Sequence, residues 1–389
     1  MKQTSTRAGK MVKNLNGYAA FVPAKLPPDP PITIDSTMQN LLSQADRNLG
    51  RLDGITQILP NPELFVTMYV KKEAVLSAQI EGTQASLIDI LNQQVDREHG
   101  EYSPDGVKEV INYVNAMSWG LSELDRLPLS LRLIRNIHEV LLKNVRGANK
   151  SPGEFRRSQN WIGPMGCTLE KAKFVPPTAD DMQDAMAALE SFMHEEDDLP
   201  PLIKIALIHA QFETIHPFLD GNGRMGRLLI TFWLCQQKVL SQPLLYLSYY
   251  FKQNRDEYYE KLMAIRADGD WEGWIKFFLK GVAMVADEAT ETAKQIISIQ
   301  RKYSAELYEK DRSNGHYQTL LNLLFETPII SRKDVMNMLH TTSPTAGALL
   351  GTFSEVGILR DLTPKKQRYK TYVFDEYMNI IQKGTELPE

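Results

Sequence analysis

His216-Pro217-Phe218-Leu219-Asp220-Gly221-Asn222-Gly223-Arg224-Met225-Gly226-Arg227 is the most informative run of this chain, and it joins a loop to a predicted helix. Glycines at 221 and 223 permit positive φ angles and a close approach of the backbone, so that successive N–H groups can point at one anion. The helix predicted to start near Arg224 adds its positive N-terminal end. Arg224 and Arg227, three residues apart, reach nearly the same side of that helix. The run therefore predicts a cradle for a polyphosphate.

His216 and Asp220, which precede this cradle in the sequence, add reactive groups to it. Asp220 is well placed to hold Mg²⁺, which prefers one or two carboxylates together with phosphate oxygens. His216 can take up a proton near neutral pH, which suits removal of a proton from a hydroxyl group. Taken singly, the histidine is explained as a helix-end residue bonded to a carbonyl, and the arginines as a solvated face. Together at this spacing they favour a reactive site.

These residues resemble the signature of the Fic family, His-x-Phe-x-(Asp/Glu)-Gly-Asn-Gly-Arg-x-x-Arg, at every specified position. The resemblance implies that a Ser, Thr or Tyr hydroxyl of a target protein, activated by His216, attacks the α-phosphate of ATP. Asp220 then holds Mg²⁺, pyrophosphate leaves, and Phe218 is buried beneath the loop. The nucleotide contacts that the resemblance implies are Gly221, Asn222, Gly223, Arg224, Met225, Gly226 and Arg227.

A second motif lies upstream, at Ser77-Ala78-Gln79-Ile80-Glu81-Gly82. It resembles the inhibitory motif (Ser/Thr)-x-x-x-Glu-(Gly/Asn) of autoinhibited Fic proteins whose inhibitory helix precedes the core. Ser77 and Glu81 are one helical turn apart and share a face. The resemblance implies that Glu81 pairs with Arg227, which otherwise binds the γ-phosphate, so that ATP binds in a wrong position. In some members the same glutamate supports removal of AMP. A solvated glutamate at a helix end is the alternative interpretation.

Two further features border the expected site. Residues 155–177 predict a small hairpin that resembles the Fic flap, which aligns a target segment by strand addition. Ile162 and Phe174 then lie beside the site, although packing of a surface hairpin explains them equally well. Tyr258 and Tyr259 fall where family members keep tyrosines near the nucleotide, and aromatic rings suit the faces of adenine. Helix packing is the competing explanation for both. His209, within an apolar helix, is expected to be a core residue.

The periodicity of apolar residues predicts a mainly α fold. Prolines 23, 27, 28, 30 and 31 make residues 1–35 an extended arm. We predict an N-terminal arm and inhibitory helix region (1–100), a Fic-type helical catalytic core with the hairpin flap and a trailing long helix (101–311), and a winged-helix domain (312–389). The predicted helices span about 62–81, 104–122, 130–146, 178–194, 202–215, 224–238, 255–266, 271–311, 316–326, 332–339 and 344–356.

The last domain resembles a winged helix in the order of its helices, with Ser343 and Pro344 opening the predicted recognition helix as N-cap and first-turn proline. Its wing carries Lys365, Lys366, Arg368 and Lys370, a patch suited to phosphates. The predicted recognition helix contains no Arg or Lys, which weakens an interpretation as a reader of bases. Nucleic acid, another protein and a second copy of the chain all stay open as its partner.

The composition excludes several broad classes. Hydrophobic residues make up 43% and charged residues 24%, as in a globular protein. A net charge of −4 argues against a chain that grips nucleic acid over its whole surface. The only cysteines, Cys167 and Cys235, form neither a disulfide framework nor a zinc motif. We find no secretion signal and no apolar run of membrane-helix length, and therefore expect a cytoplasmic protein without a membrane partner.

The leading functional hypothesis is transfer of AMP from ATP to a hydroxyl of a target protein or of the chain itself. One alternative is a DNA-binding regulator in which the core senses ATP and the winged helix binds an operator. The other is a Fic transferase that uses another nucleotide or a phosphocholine donor, which requires only a changed pocket. Formation of a homodimer is compatible with each of these hypotheses.

Overall fold

The computed structural model of the chain describes residues 7–14, 17–56, 62–96, 105–164, 166–310, 315–366 and 368–387. The described chain is mainly helical, which confirms the predicted fold class. Its elements in order are β1 (Gly9–Lys13), β2 (Ala19–Pro23), α1 (Ser36–Thr56), α2 (Pro62–Ile80), α3 (Leu87–Asp96), α4 (Asp105–Leu124), α5 (Leu131–Leu141), α6 (Ala179–His194), α7 (Pro201–Ile215), α8 (Asn222–Gln236), α9 (Ser248–Gln253), α10 (Arg255–Asp268), α11 (Trp271–Lys310), α12 (Gly315–Glu326), β3 (Ile329–Ser331), α13 (Arg332–Leu339), α14 (Ser343–Glu355), β4 (Arg360–Asp361), β5 (Thr371–Val373) and α15 (Asp375–Gln382).

Helix α7 forms the centre of the core. Every residue from Leu202 to Ile215 is buried, and these residues include the polar side chains of Lys204, His209, Gln211 and Glu213. It packs against α6, α8, α10 and α11, and α8 packs in turn against α4 and α5. The loop 216–221 connects the two central helices, so the residues predicted to be reactive stand where two buried helix ends meet.

The first part of the chain lies over this core. Strands β1 and β2 form an antiparallel hairpin in which Gly9 faces Pro23, and the Phe21 N–H donates to the Val175 carbonyl at 2.9 Å. This agrees with the prediction of an extended arm. Helix α1, which was not among the predicted helices, packs along the 40-residue helix α11.

The segment 155–177 forms the predicted small hairpin, with little regular strand. Its two arms share a single antiparallel bridge, in which the Ile162 N–H donates to the Phe174 carbonyl at 2.8 Å and the Phe174 N–H donates to the Ile162 carbonyl at 3.1 Å. A short 3₁₀ turn at Leu169–Lys171 lies between them. Pro164, Pro176 and Pro177 lack an N–H donor, which limits the length of the ladder. Met165 lies outside the described residues.

Residues 315–387, called here the module, contain α12 to α15 and a three-stranded antiparallel sheet in the order β3-β5-β4. The predicted helices of the module are present. The N-cap of α14 is Thr342, whose hydroxyl accepts from the Thr345 N–H, so the expected N-cap Ser343 was wrong by one position. In the wing, Lys370 pairs with Asp361 at 2.7 Å. The winged-helix assignment stays a prediction.

The predicted domain boundaries near 100 and 312 fall in segments 97–104 and 311–314, which lie outside the described residues, and the division into three domains stays a prediction. Helix α2 stands between two groups of elements. It packs against α4, α8 and α9 of the core and against α12 and α15 of the module. Among the helices that the structure describes, none has the length and apolar character needed to cross a bilayer.

Candidate active site

His216 ends the central helix α7 in an unusual backbone conformation. It is the C-cap, with φ 51° and ψ 61°, and its N–H donates to the Phe212 carbonyl at 2.9 Å. A left-handed conformation is uncommon for a residue other than glycine and persists only where surrounding contacts enforce it. The turn directs the chain away from the helix axis and leaves the imidazole at the start of the loop.

Arg156 supplies the contacts that hold this turn. Its side chain is 1% exposed, and its guanidinium donates to the carbonyls of His216 at 3.1 Å, Pro177 at 2.5 Å and Ser158 at 3.2 Å. Its own N–H donates to the Pro217 carbonyl at 2.9 Å. The cation therefore neutralises the negative end of α7, where carbonyls lack helical partners.

The side-chain amide of Asn160 also holds this turn, because it donates hydrogen bonds to the carbonyls of His216 at 3.1 Å and Phe218 at 2.9 Å. Because Arg156 and Asn160 begin the segment 155–177, they tie the predicted flap to the backbone of the reactive loop. Neither residue was singled out in the sequence.

The loop is closed by the Asn222 side chain. Its Oδ1 accepts from the Phe218 N–H and its Nδ2 donates to the Phe218 carbonyl, both at 2.8 Å. Both polar atoms are thus used within the loop, and the side chain is 97% buried. We expected Asn222 to hold phosphate; the structure gives its side chain a shaping role and leaves only its backbone N–H for a ligand.

His138, on α5, supports the loop from below. Its ring stacks on the fully buried Phe218 ring, with centroids 3.7 Å apart and planes 5° from parallel. One ring nitrogen lies 2.9 Å from the Asp220 carbonyl, and the other accepts from the Gly153 N–H at 3.0 Å. These partners require a neutral ring that donates through Nε2, and burial lowers the pKa of His138 to about 4. The burial of Phe218 is as predicted.

The N-terminus of α8 faces the space expected for phosphates. Gly221 has φ 75°, and the first intrahelical bond runs from the Met225 N–H to the Gly221 carbonyl at 3.0 Å, so the N–H groups of residues 222–224 precede it. Gly223 is helical, and the lack of a side chain there allows the Glu81 carboxylate to approach the backbone closely. A Cβ at position 223 would lie 2.3 Å from Oε1 of Glu81. A carboxylate of the protein thus stands at the predicted anion site.

Glu81 and Ser77 both contact Arg227. The guanidinium donates to the Glu81 carboxylate at 2.8 Å, to the Ser77 hydroxyl at 2.7 Å and to the Ser77 carbonyl at 3.0 Å. Burial raises the pKa of Glu81, but the charge and hydrogen bond of Arg227 outweigh it and leave that pKa below its ordinary value. The carboxylate is ionised at neutral pH, and the pairing implied by the motif is present.

Arg224 is held by a carboxylate other than that of Glu81. It is 1% exposed, and its Nη1 lies 3.3 Å from the carboxylate of Glu109, whose other oxygen lies 3.5 Å from Arg146. The Glu109 carboxylate also accepts from the Thr83 hydroxyl at 2.9 Å. Both arginines of the cradle are therefore held by carboxylates of the protein, and Glu109 lies on α4, far from the signature in sequence.

Asp220 stands at the mouth of the site with 34% of its side chain exposed. Its Oδ1 accepts from the Gly221 N–H at 2.7 Å and lies 4.0 Å from Arg224. No group of three or more His, Cys, Asp or Glu side chains that could hold a metal occurs among the described residues. One accessible carboxylate beside a helix N-terminus fits Mg²⁺ that takes its other ligands from phosphates and water.

The electrostatics of His216 favour its neutral form. Burial lowers the pKa of the imidazole to about 3, with the nearby charges of Arg266 and Arg156 adding to the effect. Its Nδ1 is buried without a hydrogen-bond partner. At neutral pH the ring therefore carries no charge and has an unprotonated nitrogen with which to accept a proton.

Two predicted nucleotide contacts instead join the central helices. Met225 is fully buried and its N–H is used within α8. The Gly226 carbonyl lies 2.9 Å from Nδ1 of His209, and a Cβ at 226 would lie 2.4 Å from the Glu213 carboxylate. These positions allow α7 and α8 to approach closely, and they do not face the cradle. His209 is a satisfied core residue, as expected.

The two predicted adenine contacts differ in exposure. Tyr258 is 1% exposed, its hydroxyl lies 2.9 Å from Nε2 of His209, and its ring stacks on Phe251 at 4.5 Å. Packing therefore explains the position of Tyr258, and a contact with adenine stays a prediction. Tyr259 is 36% exposed and leaves part of its ring free for a ligand.

The flap residues are fixed to the core. Phe174 is 6% exposed and packs under the guanidinium of Arg266, which lies 4.1 Å from the ring centroid. Arg266 also donates to the Thr214 hydroxyl at 3.1 Å and to the Glu213 carbonyl at 3.0 Å, two and three residues before His216. Ile162, half-buried, contacts Phe174 through the bridge.

Comparison with known proteins agrees with this arrangement. The chain matches the model described as Fic/DOC family N-terminal over residues 39–122 and the model described as Fic/DOC family over residues 128–234. This chain is a Fic family protein. The second match contains the entire loop and the start of α8, and the first contains α2 with Ser77 and Glu81.

Relatives of this Fic chain include proteins named protein adenylyltransferase Fic. The one from Drosophila willistoni is 26% identical over 238 residues, covering 56% of this chain and 43% of its own length. The one from Drosophila grimshawi is 30% identical over 182 residues, covering 46% and 32%. The Fic chain thus matches less than half the length of these relatives. A crystal structure of a Fic family protein from Desulfovibrio desulfuricans G20 shares the fold, with a TM-score of 0.57 and 22% identity over 88% of this chain and 97% of that one.

Proposed function

We propose that this chain transfers AMP from ATP to a Ser, Thr or Tyr hydroxyl of a protein. The observation that carries the proposal is the pairing, within one loop, of a neutral imidazole at His216 with an anion-binding helix N-terminus at residues 222–224. The cradle receives the phosphates, and the histidine stands at the other end of the same loop. The names of the curated relatives point to the same chemistry.

The reaction is an in-line displacement at the α-phosphorus. His216 accepts the proton of the target hydroxyl through Nε2, since Nδ1 is buried. The hydroxyl oxygen forms a bond to the α-phosphorus while the bond to the bridging oxygen breaks, and pyrophosphate leaves with that electron pair. The N–H groups of residues 222–224 and the two arginines hold the phosphates. Asp220 is the ligand for Mg²⁺, which when bound neutralises phosphate charge.

We further propose that Glu81 restrains this activity. Its carboxylate occupies the approach to Gly223 and takes the guanidinium of Arg227, both of which the nucleotide needs. Replacement of Glu81 by glycine removes the competing anion and leaves Arg227 bonded to Ser77. AMP transfer by Glu81→Gly should then exceed that of the wild-type chain.

The chemistry is tested with ATP labelled at either the α- or the γ-phosphate, incubated with the Glu81→Gly chain and a cell lysate. AMP transfer puts the α-label on protein and leaves the γ-label in solution, whereas phosphoryl transfer does the reverse. Unlabelled GTP, CTP, UTP and CDP-choline added in excess identify the preferred donor. Absence of α-label from every protein, the chain included, would contradict the proposal.

Mass spectrometry of the labelled proteins names the acceptor residue and the target together. A hydroxyl amino acid carrying one AMP group is the expected product. The alternative of an operator-binding regulator receives no support from α14, which contains no Arg or Lys. The cytoplasmic location inferred from the sequence stays a prediction.

A further inference from the structure

Residues 79–82, the last two residues of α2 and the two that follow it, are called here the inhibitory turn, because Glu81 lies within them. The Glu81 N–H donates to the Ala78 carbonyl at 3.1 Å and the Gly82 N–H donates to the Gln79 carbonyl at 3.0 Å. The position of the carboxylate is therefore set by the backbone of this turn. Anything that loosens the turn also loosens the hold on Arg227.

Gln79 belongs to this turn but faces the other way. It is two residues from both Ser77 and Glu81, a rotation of roughly 200° on a helix, which places it opposite the face that holds Arg227. Its Nε2 donates to the Ala85 carbonyl and to the Thr385 carbonyl, both at 2.9 Å. The second bond connects the inhibitory turn to the module.

Residues 383–387, called here the docking segment, are fixed by several contacts. Thr385 is 2% exposed although it lies outside any helix or strand. Lys252, at the end of α9, donates to the carbonyls of Gly384 at 3.2 Å and Glu386 at 2.7 Å. Gly384 has φ 84°, and a Cβ there would lie 2.1 Å from the Tyr249 ring. The segment is thus fitted closely against the core.

We propose that the docking segment is a clamp that keeps the inhibitory turn in place and so couples the module to the activity of the Fic core. This inference rests on the proposed restraint by Glu81. The core side of the turn is held by Arg255, which donates to the Ile80 carbonyl at 3.1 Å, and by Thr83 through Glu109. The docking segment holds the outer side. A partner that draws the module away removes the outer contact and releases Glu81.

Gly384→Ala tests the clamp in the full-length chain. The added methyl meets Tyr249 and is strained at a positive φ, so the segment must move and the bond from Gln79 is lost. We expect AMP transfer to rise by about threefold to tenfold, the effect of losing one net hydrogen bond. Hydrogen exchange of the peptide 76–83 should also become faster, because the turn opens more often.

Gly357→Ala is the matched control. Gly357 also lies in the module with a positive φ, 82°, but nothing lies within 4 Å of an added Cβ. It introduces similar backbone strain without displacing the docking segment. In this variant the rate of AMP transfer and the hydrogen exchange of the peptide 76–83 should match those of the wild-type chain.

Gln79→Ala removes the bond to Thr385 from the other side, without a change in the module, and it also removes the bond to the Ala85 carbonyl. It should act in the same direction as Gly384→Ala, and the double variant should show less than the product of the two effects, because both remove one contact. In the Glu81→Gly background neither change should increase transfer further.

The two proposals can fail separately. Unchanged exchange at 76–83 in both Gly384→Ala and Gln79→Ala overturns the clamp, whatever the activity. Faster exchange with no transfer by Glu81→Gly supports the mechanical contact and counts against the proposed AMP transfer instead. Equal activation by the Gly357→Ala control also overturns the clamp, since general strain in the module would then explain the result.

Discussion

Replacement of Arg156 by methionine removes a buried guanidinium whose hydrogen bonds go to main-chain carbonyls, and it tests how the fold positions His216. Three of those bonds, to His216, Pro177 and Ser158, are no longer than 3.2 Å. At about 1 kcal/mol each, their loss should lower the free energy of unfolding by about 3 kcal/mol. The carbonyl of His216 keeps one donor, from Asn160.

The catalytic effect should exceed the effect on stability. A displacement of His216 by about 1 Å costs about a hundredfold in rate, so kcat should fall by that factor. KM for ATP should change little, because the guanidinium bonds the carbonyls of His216, Pro177 and Ser158 and none of residues 222–224. The charge of Arg156 also lowers the pKa of His216. Its removal therefore raises that pKa and moves the acid limb of the pH profile upward.

The assay compares AMP transfer and thermal melting in the Glu81→Gly background. Arg157→Met is the matched control, because Arg157 is the next residue, 87% exposed, and pairs only loosely with Glu154 at 3.4 Å. Arg156→Lys keeps the charge but loses the geometry and should recover part of the stability. If Arg156→Met and Arg157→Met melt and turn over alike, the positioning role is refuted.

Three further predictions concern the site itself. For the Glu81→Gly chain, kcat/KM should stay constant from pH 8 to pH 6, because the pKa of His216 is about 3 and loss of the Glu81 charge lowers that pKa further. A histidine with an ordinary pKa would lose about three quarters of its base form by pH 6. A fall in kcat/KM of that size would contradict the assignment of His216 as a neutral base. Asp220→Asn should raise about tenfold the Mg²⁺ concentration at which ATP binding, measured by calorimetry, is half-maximal, while the melting temperature stays unchanged. An unchanged dependence of ATP binding on Mg²⁺ would exclude Asp220 as the ligand. Tyr259→Ala should raise KM for ATP, whereas Tyr258→Ala should mainly lower the melting temperature; equal changes in KM would show that the difference in exposure does not matter.

The parts of the fold that the sequence predicts are those determined by neighbouring residues. Helix α13 was predicted at 332–339, and its start is fixed by a local capping box between Ser331 and Asp334. The contact between Glu81 and Arg227, which lie 146 positions apart, was anticipated only through the resemblance of residues 77–82 to the inhibitory motif of Fic proteins.

The residues that sequence analysis missed act through contacts distant along the chain. Arg156 lies 60 positions before His216, and Glu109 lies 115 before Arg224. Neither residue has a spacing to other residues that distinguishes it from a surface charge. An indication was available only for His138, which falls on the apolar face of α5, where a histidine requires partners.

Tyr258 shows where a resemblance and the packing point to different roles. Its position, where Fic family members keep tyrosines near the nucleotide, suggested a ligand contact, but its ring lies in the core beside His209. Residue type alone did not distinguish it from its neighbour Tyr259. Burial, which depends on how α10 packs against α7 and α11, decides between them.

The most direct test of the central claim is the initial rate at which α-labelled AMP appears on protein for three chains: wild type, Glu81→Gly, and Glu81→Gly with His216→Ala. Loss of a charged hydrogen bond to Arg227 should make Glu81→Gly about ten- to a hundredfold faster than wild type. The double variant should show only background, because His216 is the proposed base for the target hydroxyl. Equal rates for wild type and Glu81→Gly, or labelling that survives the loss of His216, would contradict the account.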